Sequence, residues 1–250
     1  MKKLITQLNC SDKSPANLSR APFHIAGDSE KKFRINKKVQ PSSWMYNQRS
    51  IGYTTNSLGF RSKNFHQIKW NESIVALGCS NTFGIGVDDD DTWCEVLSKR
   101  MNLPVINLGV PAASIEQICL MSTVLKKLIT PLAVIYCWPP VDRYAEFKMP
   151  LDNNKKDFMN PSSWSNVLPN QRMKKYVFQV DWAAKNLVNI EKDRLIWNTS
   201  IPRVECSYFD IPGIEKLDIV DTARDLEHPG ILSHTQTAQH LHRVLAPLLA

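Results

Sequence analysis

The sequence predicts an α/β domain whose parallel sheet is covered by helices on both faces. Short apolar runs typical of buried strands alternate with longer stretches of helical periodicity, and this alternation is typical of parallel strands joined by crossover helices. Of the 250 residues, 43% are hydrophobic, which is enough for a full-sized core in one large domain or at most two small ones. A wholly disordered chain is therefore excluded.

Three apolar runs predict the strands at the centre of the sheet. They lie at 73–78, 104–108 and 132–138, and the first ends in a glycine, as buried strands bounded by turn residues do. A fourth strand is expected at 194–198 and a fifth at 217–220. Together these runs account for a sheet of about five strands.

The predicted helices are marked by capping residues and by apolar spacing. Side-chain oxygens of Asp91 or Thr92 and of Ser114 can accept hydrogen bonds from the free backbone N–H groups of a helix start. The helices are expected to end at about Met101 and Ile129 respectively. Two more are expected, near 171–189 within a long insertion at 139–190, and at 231–249.

Charge divides the chain into two unlike parts. The formal net charge is +7, but residues 1–70 hold 13 Lys and Arg against 3 Asp and Glu, and the remainder holds 18 against 21. We therefore separate a basic, partly irregular N-terminal arm and approach segment at 1–72 from the domain at 73–250. The basic residues of the arm form no compact block with interleaved aromatics, so nucleic-acid binding is not favoured. The arm is expected to serve for a contact with a partner rather than for chemistry.

Several features indicate the cellular setting. The first apolar segment is short and is broken by Thr6 and Gln7, so no secretion signal is expected. The longest apolar run, 132–138, is far below the roughly 18 residues of a membrane span. Six cysteines are scattered without metal-ligand spacing. The sequence therefore predicts a reduced, cytoplasmic protein without cofactors.

No metal site is predicted from the acidic run at 88–91. The run lacks the alternating ligand spacing of a calcium loop. Negative charge is also favourable at the start of a helix, where the next predicted element begins.

Two polar segments at opposite ends of the domain carry the candidate chemistry. Ser80 follows the first strand at the edge where parallel sheets bind ligands; it is either a nucleophile or a turn serine that caps the next helix. Asp225 and His228 precede the last helix. Their spacing allows the carboxylate to orient the imidazole as a base for a serine, although a helix-entry loop with a surface histidine has the same pattern. The two segments together favour the catalytic interpretation.

Other acids and histidines compete with this assignment. Asp221 and Glu227 are alternative partners of His228, but the spacing favours Asp225. The remaining histidines of the last helix are expected at the surface or edge rather than as ligands; they are His234, His240 and His242.

Three motifs carry a resemblance to a known family. The segments GCSNTFG, NLGVPAAS and DLEHPG, in this order across 73–250, are similar to the conserved blocks of the SGNH/GDSL hydrolases, and NSLGFRS at 56–62 is similar to a segment that often precedes such domains. The resemblance implies a flavodoxin-like, three-layer α/β/α fold with about five parallel strands. It also implies a catalytic triad of Ser80, Asp225 and His228.

The sequence departs from the family pattern at three places. Cys79 stands where the family usually has Asp. Ala112 aligns with the glycine whose backbone N–H helps to hold the oxyanion; alanine keeps this donor if its φ is negative. The Asn of the third block has no match, and loss of one donor can cost about 100-fold in rate. Arg143 or Asn81 is the candidate substitute.

A few more residues are candidates for shaping the site. The oxyanion donors are expected to be the N–H groups of Ser80 and Ala112. Trp138 follows the third strand and either lines the substrate pocket, together with Asn81 and Arg143, or belongs to the core. Arg61 is expected to have a structural ion pair rather than a contact with substrate.

Three functions remain open. The leading one is a serine esterase that hydrolyses a small acyl ester, such as an O-acetyl group on a glycan. The second is an acyltransferase that uses the same triad with a sugar hydroxyl in place of water. The third is a weakly active or inactive module for binding or assembly, which the missing Asn and the long arm favour.

Overall fold

A five-stranded parallel sheet organises the chain. A computed structural model describes residues 13–24, 27–143, 172–197 and 200–250, without the side chains of 172–182. The start of the chain and most of the insertion expected at 139–190 lie outside the described residues. The strands are β1 (Ile74–Gly78), β2 (Val105–Gly109), β3 (Ala133–Cys137), β4 (Arg203–Ser207) and β5 (Glu215–Lys216).

The order of the strands reverses at β1. The sheet runs β2-β1-β3-β4-β5, and every neighbouring pair is parallel. From β1 the chain continues to β2 on one side of it and then crosses to β3 on its other side. Ligands bind at such a switch point, beyond the carboxyl ends of the strands.

Helices cover both faces of the sheet. They are α1 (Glu30–Val39), the short α2 (Ser80–Phe83), α3 (Trp93–Met101), α4 (Ile115–Lys126), α5 (Arg172–Asp193) and α6 (Ile231–Leu245). One core layer joins the sheet to α4 and α5, and the other joins it to α3 and α6. The expected three-layer α/β/α fold is confirmed. None of the described helices is long and apolar enough to span a membrane.

The expected helix starts agree with the structure. Thr92 accepts from the Glu95 N–H at the start of α3, and Ser114 accepts from the Gln117 N–H at the start of α4. The last helix is shorter than expected, since it ends at Leu245 and a 3-10 turn follows. The helix expected near 171–189 is α5, which continues to Asp193.

The predicted positions of the fourth and fifth strands are wrong. Residues 194–197 form a turn that ends α5, and the apolar Trp197 packs inward, where its Nε1 donates to Tyr136 Oη at 2.7 Å. The fourth strand is instead β4, whose Arg203 and Glu205 pair with each other at 2.7 Å. The fifth strand is β5, which directly precedes the expected run at 217–220. No residue of that run lies in a strand.

The N-terminal arm forms a third, smaller core on the domain. Residues such as Tyr46, Ile51 and Tyr53 pack against Phe83 and Ile85, which follow β1. Helix α1 lies within the segment expected to be partly irregular. The arm therefore packs directly on the segment that contains Ser80.

Three arginines attach the arm to the acidic run at 88–91. Arg20 contacts Asp88 at 2.9 Å, Arg49 contacts Asp91 at 2.5 Å, and the buried Arg61 contacts Asp89 at 2.6 Å. Part of the basic excess of the arm is thus matched by acids of the domain itself.

Candidate active site

The turn after β1 is built by a very close approach of backbone segments. A Cβ on Gly78 would lie 2.8 Å from the carbonyl oxygen of Cys137 and would overlap the Thr82 hydroxyl. Gly84, with φ of +85°, ends α2 immediately afterwards. Ser80, the first residue of α2, is thereby fixed at the carboxyl end of β1 and is only 8% exposed.

Strand β2 supports this turn from the side. Gly109 lets the α2 backbone approach closely, because its Cβ would lie 2.8 Å from the Thr82 carbonyl carbon. Asn107 donates from Nδ2 to the Thr82 carbonyl at 2.8 Å, and its Oδ1 accepts from the Gly109 N–H at 3.0 Å. The position of Ser80 therefore follows from contacts within the sheet.

Ser80, His228 and Asp225 form one hydrogen-bonded chain. His228 Nε2 lies 2.9 Å from Ser80 Oγ, and His228 Nδ1 lies 2.5 Å from Asp225 Oδ2. A carboxylate can only accept, so Nδ1 carries the proton and Nε2 is free to accept from the serine hydroxyl. This is the arrangement in which a histidine can act as a base toward a serine.

Hydrogen bonds keep the buried Asp225 ionised. Burial alone would raise the pKa of Asp225. The hydrogen bond from the His228 ring, and the N–H groups of His228 and Glu227 at 3.2 Å, more than offset it, so that the pKa lies below its usual value. The carboxylate is therefore charged at neutral pH and holds the histidine in one tautomer.

The rival partners of His228 have other contacts. Asp221 caps α6, since its two oxygens accept from the N–H groups of Leu232 at 3.0 Å and Ser233 at 2.8 Å. Glu227 is largely exposed and contacts Lys32 Nζ at 2.7 Å. Of the three acids, the structure brings Asp225 to the histidine ring.

The same segment contains a group whose atoms could hold a metal ion. Ligand atoms of Asp225, Glu227 and His228 lie within 4.8 Å of one another. The ring of His228 is hydrogen-bonded on both nitrogens, and Glu227 already has the Lys32 ammonium as its counterion. The contacts therefore suit a serine–histidine pair better than a cation.

The two expected oxyanion donors differ in backbone conformation. The N–H of Ser80 belongs to the first residue of a helix, where backbone donors have no partner within the helix. Ala112 has φ of +61°, so the condition of a negative φ is not met. Alanine here adopts a left-handed conformation that glycine takes more easily. A backbone held in this conformation directs the Ala112 N–H as a glycine could, so the expected requirement of a negative φ is wrong and the N–H stays a candidate donor.

The residues beside Ser80 are buried. Cys79 is 1% exposed, and burial raises the pKa of its thiol, an effect that the charge of Arg143 partly opposes. Cys79 is therefore a neutral side chain at neutral pH. Asn81 is also buried, at 5% exposed, directly after the serine.

The pocket candidates after β3 have different positions. Trp138 is fully buried, stacks on Tyr136 with ring centroids 4.7 Å apart and donates to Glu205 at 3.2 Å. Of the two positions left open for Trp138, it occupies the core. Arg143 is half-buried and donates to the Ala113 carbonyl at 3.1 Å, so it braces the turn that contains Ala112.

Arg61 has the expected structural role. Its side chain is 3% exposed, and it donates to the carbonyls of Phe83, Gly84, Gly52 and Val87 besides its ion pair with Asp89. It thereby joins the arm to the turn that follows Ser80.

One expectation for the last helix is wrong. His234 is fully buried rather than at the surface, and its Nδ1 accepts from the Trp93 N–H at 2.9 Å. Burial lowers the pKa of His234 to about 3, and the charge of Arg61 contributes. His240, by contrast, lies near the edge, where it contacts Glu215 at 3.2 Å.

Sequence reasoning missed residues of the arm that reach the proposed triad. Lys32 lies 3.9 Å from Asp225, and a Cβ on Gly27 would lie 3.7 Å from His228 Cε1. No sequence pattern marks these two residues as neighbours of the triad. Before the domain, the NSLGFRS segment is the part whose sequence indicates an ordered structure.

The comparisons with known proteins yield distant structural likenesses. The chain is similar to a structure described as a GDSL-like lipase from Bacteroides ovatus, with 14% identity and a TM-score of 0.40 over 72% of this chain and 54% of that one, about half its length. It is also similar to a lipolytic protein of the G-D-S-L family from Desulfitobacterium hafniense, with 17% identity and a TM-score of 0.36 over 70% and 100% of the two chains.

A third such likeness is to a carbohydrate acetylesterase family member from Sinorhizobium meliloti, with 13% identity and a TM-score of 0.35 over 71% and 99% of the two chains. No family model and no curated protein matches the chain.

Proposed function

We propose that the protein is a serine esterase of the SGNH/GDSL type that hydrolyses a small acyl ester, such as an O-acetyl group on a glycan. The observation that carries the proposal is the hydrogen-bonded chain from Ser80 through His228 to Asp225. The order of the three motifs along the chain supports the family assignment.

The first half of the reaction transfers the acyl group to the enzyme. Ser80 Oγ attacks the ester carbonyl carbon while His228 Nε2 takes the hydroxyl proton. The bond to the leaving alkoxide then breaks, and the imidazolium returns the proton to it. Asp225 stabilises the imidazolium without taking up a proton, as its lowered pKa favours.

The second half uses water in place of the alcohol. His228 removes a proton from a water molecule, which attacks the acyl carbon. The bond to Ser80 Oγ breaks, and the serine recovers its proton from the imidazolium. Acid is released and the enzyme returns to its starting state.

The backbone N–H groups of Ser80 and Ala112 are the proposed oxyanion donors. The turn that contains Ala112 is tied to the end of β1, since the Val110 N–H donates to the Gly78 carbonyl at 3.0 Å. Arg143 also binds this turn, through its hydrogen bond to the Ala113 carbonyl. Asn81 and Arg143 remain the candidates for contact with substrate.

The proposal is tested by comparing two serine variants on p-nitrophenyl acetate. Ser80→Ala removes the nucleophile, and we expect kcat/KM to fall on the order of 10⁴-fold or more. Ser73→Ala is the matched control, because Ser73 is also buried and lies just before the other end of β1, where it donates to the Lys69 carbonyl at 2.7 Å. Its activity should stay at the wild-type value.

Equal hydrolysis by wild type and Ser80→Ala would contradict the proposal. Folded wild type that neither hydrolyses esters nor reacts with a fluorophosphonate would favour a module for binding or assembly instead.

A further inference from the structure

The residue before Asp225 is held by a buried carboxylate of the arm. The guanidinium of Arg224 donates to Asp28 through Nε at 3.0 Å and through Nη2 at 2.6 Å. The two side chains are 4% and 0% exposed, respectively. They lie 196 positions apart in the sequence, so this contact joins the start of the described chain to the segment that contains His228.

The same carboxylate is connected to the segment that follows Ser80. Tyr53 donates from its hydroxyl to Asp28 Oδ2 at 2.5 Å and accepts from the Gly86 N–H at 2.7 Å. The Gly86 carbonyl in turn accepts from the Arg224 N–H at 3.1 Å. A closed ring of hydrogen bonds thus runs through the arm, the segment after Ser80 and the segment before Asp225.

Two further residues of the arm complete the contact. Asn36, buried on α1, donates to the Arg224 carbonyl at 3.0 Å. Gly27 packs behind the triad, since its Cβ would lie 3.7 Å from His228 Cε1 and 3.8 Å from Asp225 Oδ2. Polar groups of Arg224 on both the main chain and the side chain are therefore fixed by residues outside the domain.

A buried ion pair is an unusual way to gain stability, since desolvation offsets much of the attraction between the charges. Its best-attested use is to select one geometry among alternatives. Arg224 directly precedes Asp225, so its backbone conformation sets where the carboxylate, and through it the imidazole, is aimed. Small displacements of such groups strongly affect rate.

We propose that Asp28, Tyr53 and Arg224 are positioning residues, which fix the Asp225–His228 segment relative to Ser80. The arm is thus part of the active centre rather than an appendage. This inference rests on the proposed function for its kinetic consequences, but the geometry that it asserts is independent of any activity.

The test compares Asp28→Asn with a buried carboxylate elsewhere in the full-length protein. Asp193→Asn is the matched control, because Asp193 is also fully buried and contacts an arginine, Arg203, at 3.1 Å. Arg203 pairs with the amino-terminal half of β3, away from Ser80. Each variant removes one buried charge, but of the two residues only Asp28 belongs to the ring of hydrogen bonds beside the proposed triad.

Two quantities are measured for each variant. The first is the rate constant for labelling of Ser80 by diisopropyl fluorophosphate, together with kcat and KM on p-nitrophenyl acetate. The second is the far-downfield proton resonance of a histidine Nδ1–H bonded to a carboxylate, assigned to His228 by its loss in His228→Asn. Melting temperature and circular dichroism report the fold.

We expect Asp28→Asn to lower kcat and the labelling rate by about 10- to 100-fold with little change in KM, and to weaken or abolish the downfield resonance. Asp193→Asn should lower the melting temperature alone. Tyr53→Phe, which removes one hydroxyl from the ring, is the milder variant if Asp28→Asn does not fold. It should show the same changes to a smaller extent.

The inference is overturned if the folded arm variants keep the labelling rate and the resonance of wild type, or if Asp193→Asn changes both equally. If wild type is neither labelled nor active, the proposed function fails by itself. The positioning role is then decided by the resonance: its loss in the arm variant supports the role, and its persistence, or its absence from wild type, contradicts it.

Discussion

The two segments that form the proposed triad are held in place by different means. At Ser80 itself the chain is fixed by backbone packing within the sheet, where Gly78 and Gly109 permit an approach that any side chain would block. The arm joins this segment after Ser80, where Arg61 donates to the Phe83 and Gly84 carbonyls. The segment with Asp225 and His228 is fixed by polar side chains of the arm, above all by Asp28. One half of the site is thus part of the fold, and the other half depends on a distant segment of the chain.

This difference predicts that the proposed nucleophile is held more firmly in position than the proposed base. Backbone packing tolerates almost no change in position, because interiors are close-packed. A ring of hydrogen bonds can loosen when one member changes, while the sheet stays intact. Substitutions on the sheet side should therefore affect stability first, and those on the arm side should affect the orientation of the histidine first.

The largest loss of stability is expected from a substitution that disturbs the backbone packing beside Ser80. In Gly109→Ala, the new Cβ would lie 2.8 Å from the Thr82 carbonyl carbon and 2.9 Å from Phe83 Cα, and this backbone cannot move aside without shifting α2. We expect the free energy of unfolding to fall by about 3 kcal/mol, measured by urea denaturation followed by circular dichroism.

Gly213→Ala is the control for this prediction. Gly213 has φ of +75°, but a Cβ at this position would have no other atom within 4 Å, so backbone strain alone should cost about 1 kcal/mol. Equal losses in the two variants would show that the close approach under Ser80 is not what stabilises the turn.

An effect of similar size is expected from acid, which acts on the arm side. His24 is 1% exposed and lies against Tyr53 and Phe83, with ring centroids 5.4 and 4.9 Å away. Burial, with a contribution from the charge of Arg61, lowers the pKa of His24 to about 4. Between pH 6.5 and 4 the unfolded chain binds a proton at this residue and the folded chain does not.

Stability contributed by the neutral His24 is therefore complete above about pH 6.5 and decreases as the pH falls, by about 3 kcal/mol in all. His234 acts in the same direction, since its pKa is also lowered. Urea denaturation at several pH values should show a smaller decrease for His24→Gln than for wild type. An unchanged pH dependence in this variant would contradict the assignment.

The smallest expected effect concerns the strain at Ala112. Its φ of +61° costs about 1–2 kcal/mol for a residue with a Cβ. Glycine removes that cost, but its greater freedom in the unfolded chain lowers the free energy of unfolding by about 0.4–1 kcal/mol. Ala112→Gly should therefore raise the free energy of unfolding by up to about 1.5 kcal/mol and leave ester hydrolysis at least as fast.

Ala113→Gly is the neighbouring control, because Ala113 is fully buried and its φ is not positive. It should lower the urea midpoint. If Ala112→Gly lowers the midpoint to the same extent, the left-handed conformation is not a source of strain.

The sequence allowed prediction of those parts of the molecule that depend on local pattern. Strands β1 to β3 are apolar on both faces because both faces are covered, and Thr92 and Ser114 mark helix starts by their capping oxygens. Strand β4 was missed because Arg203 and Glu205, which pair with each other, interrupt its apolar pattern. Residues 194–197 were mistaken for a strand because a short apolar run also occurs in a packed turn.

The candidate site divides in the same way. Ser80, Asp225 and His228 could be proposed from the sequence because each stands in a short motif at the edge where strand ends meet. The pairing of Asp28 with Arg224 has no local signal, since it joins residues 196 positions apart. The left-handed backbone at Ala112 could not be predicted either, because an alanine gives no indication of a positive φ.

The central claim is that Ser80 is a nucleophile activated by His228. The most direct test is mass spectrometry of tryptic peptides after treatment of the full-length protein with a fluorophosphonate, for wild type and for His228→Asn. We predict one adduct, on Ser80, that forms on the wild type and forms far more slowly on the variant. An adduct on another residue, no adduct on folded wild type, or equally fast labelling of both proteins would contradict the account.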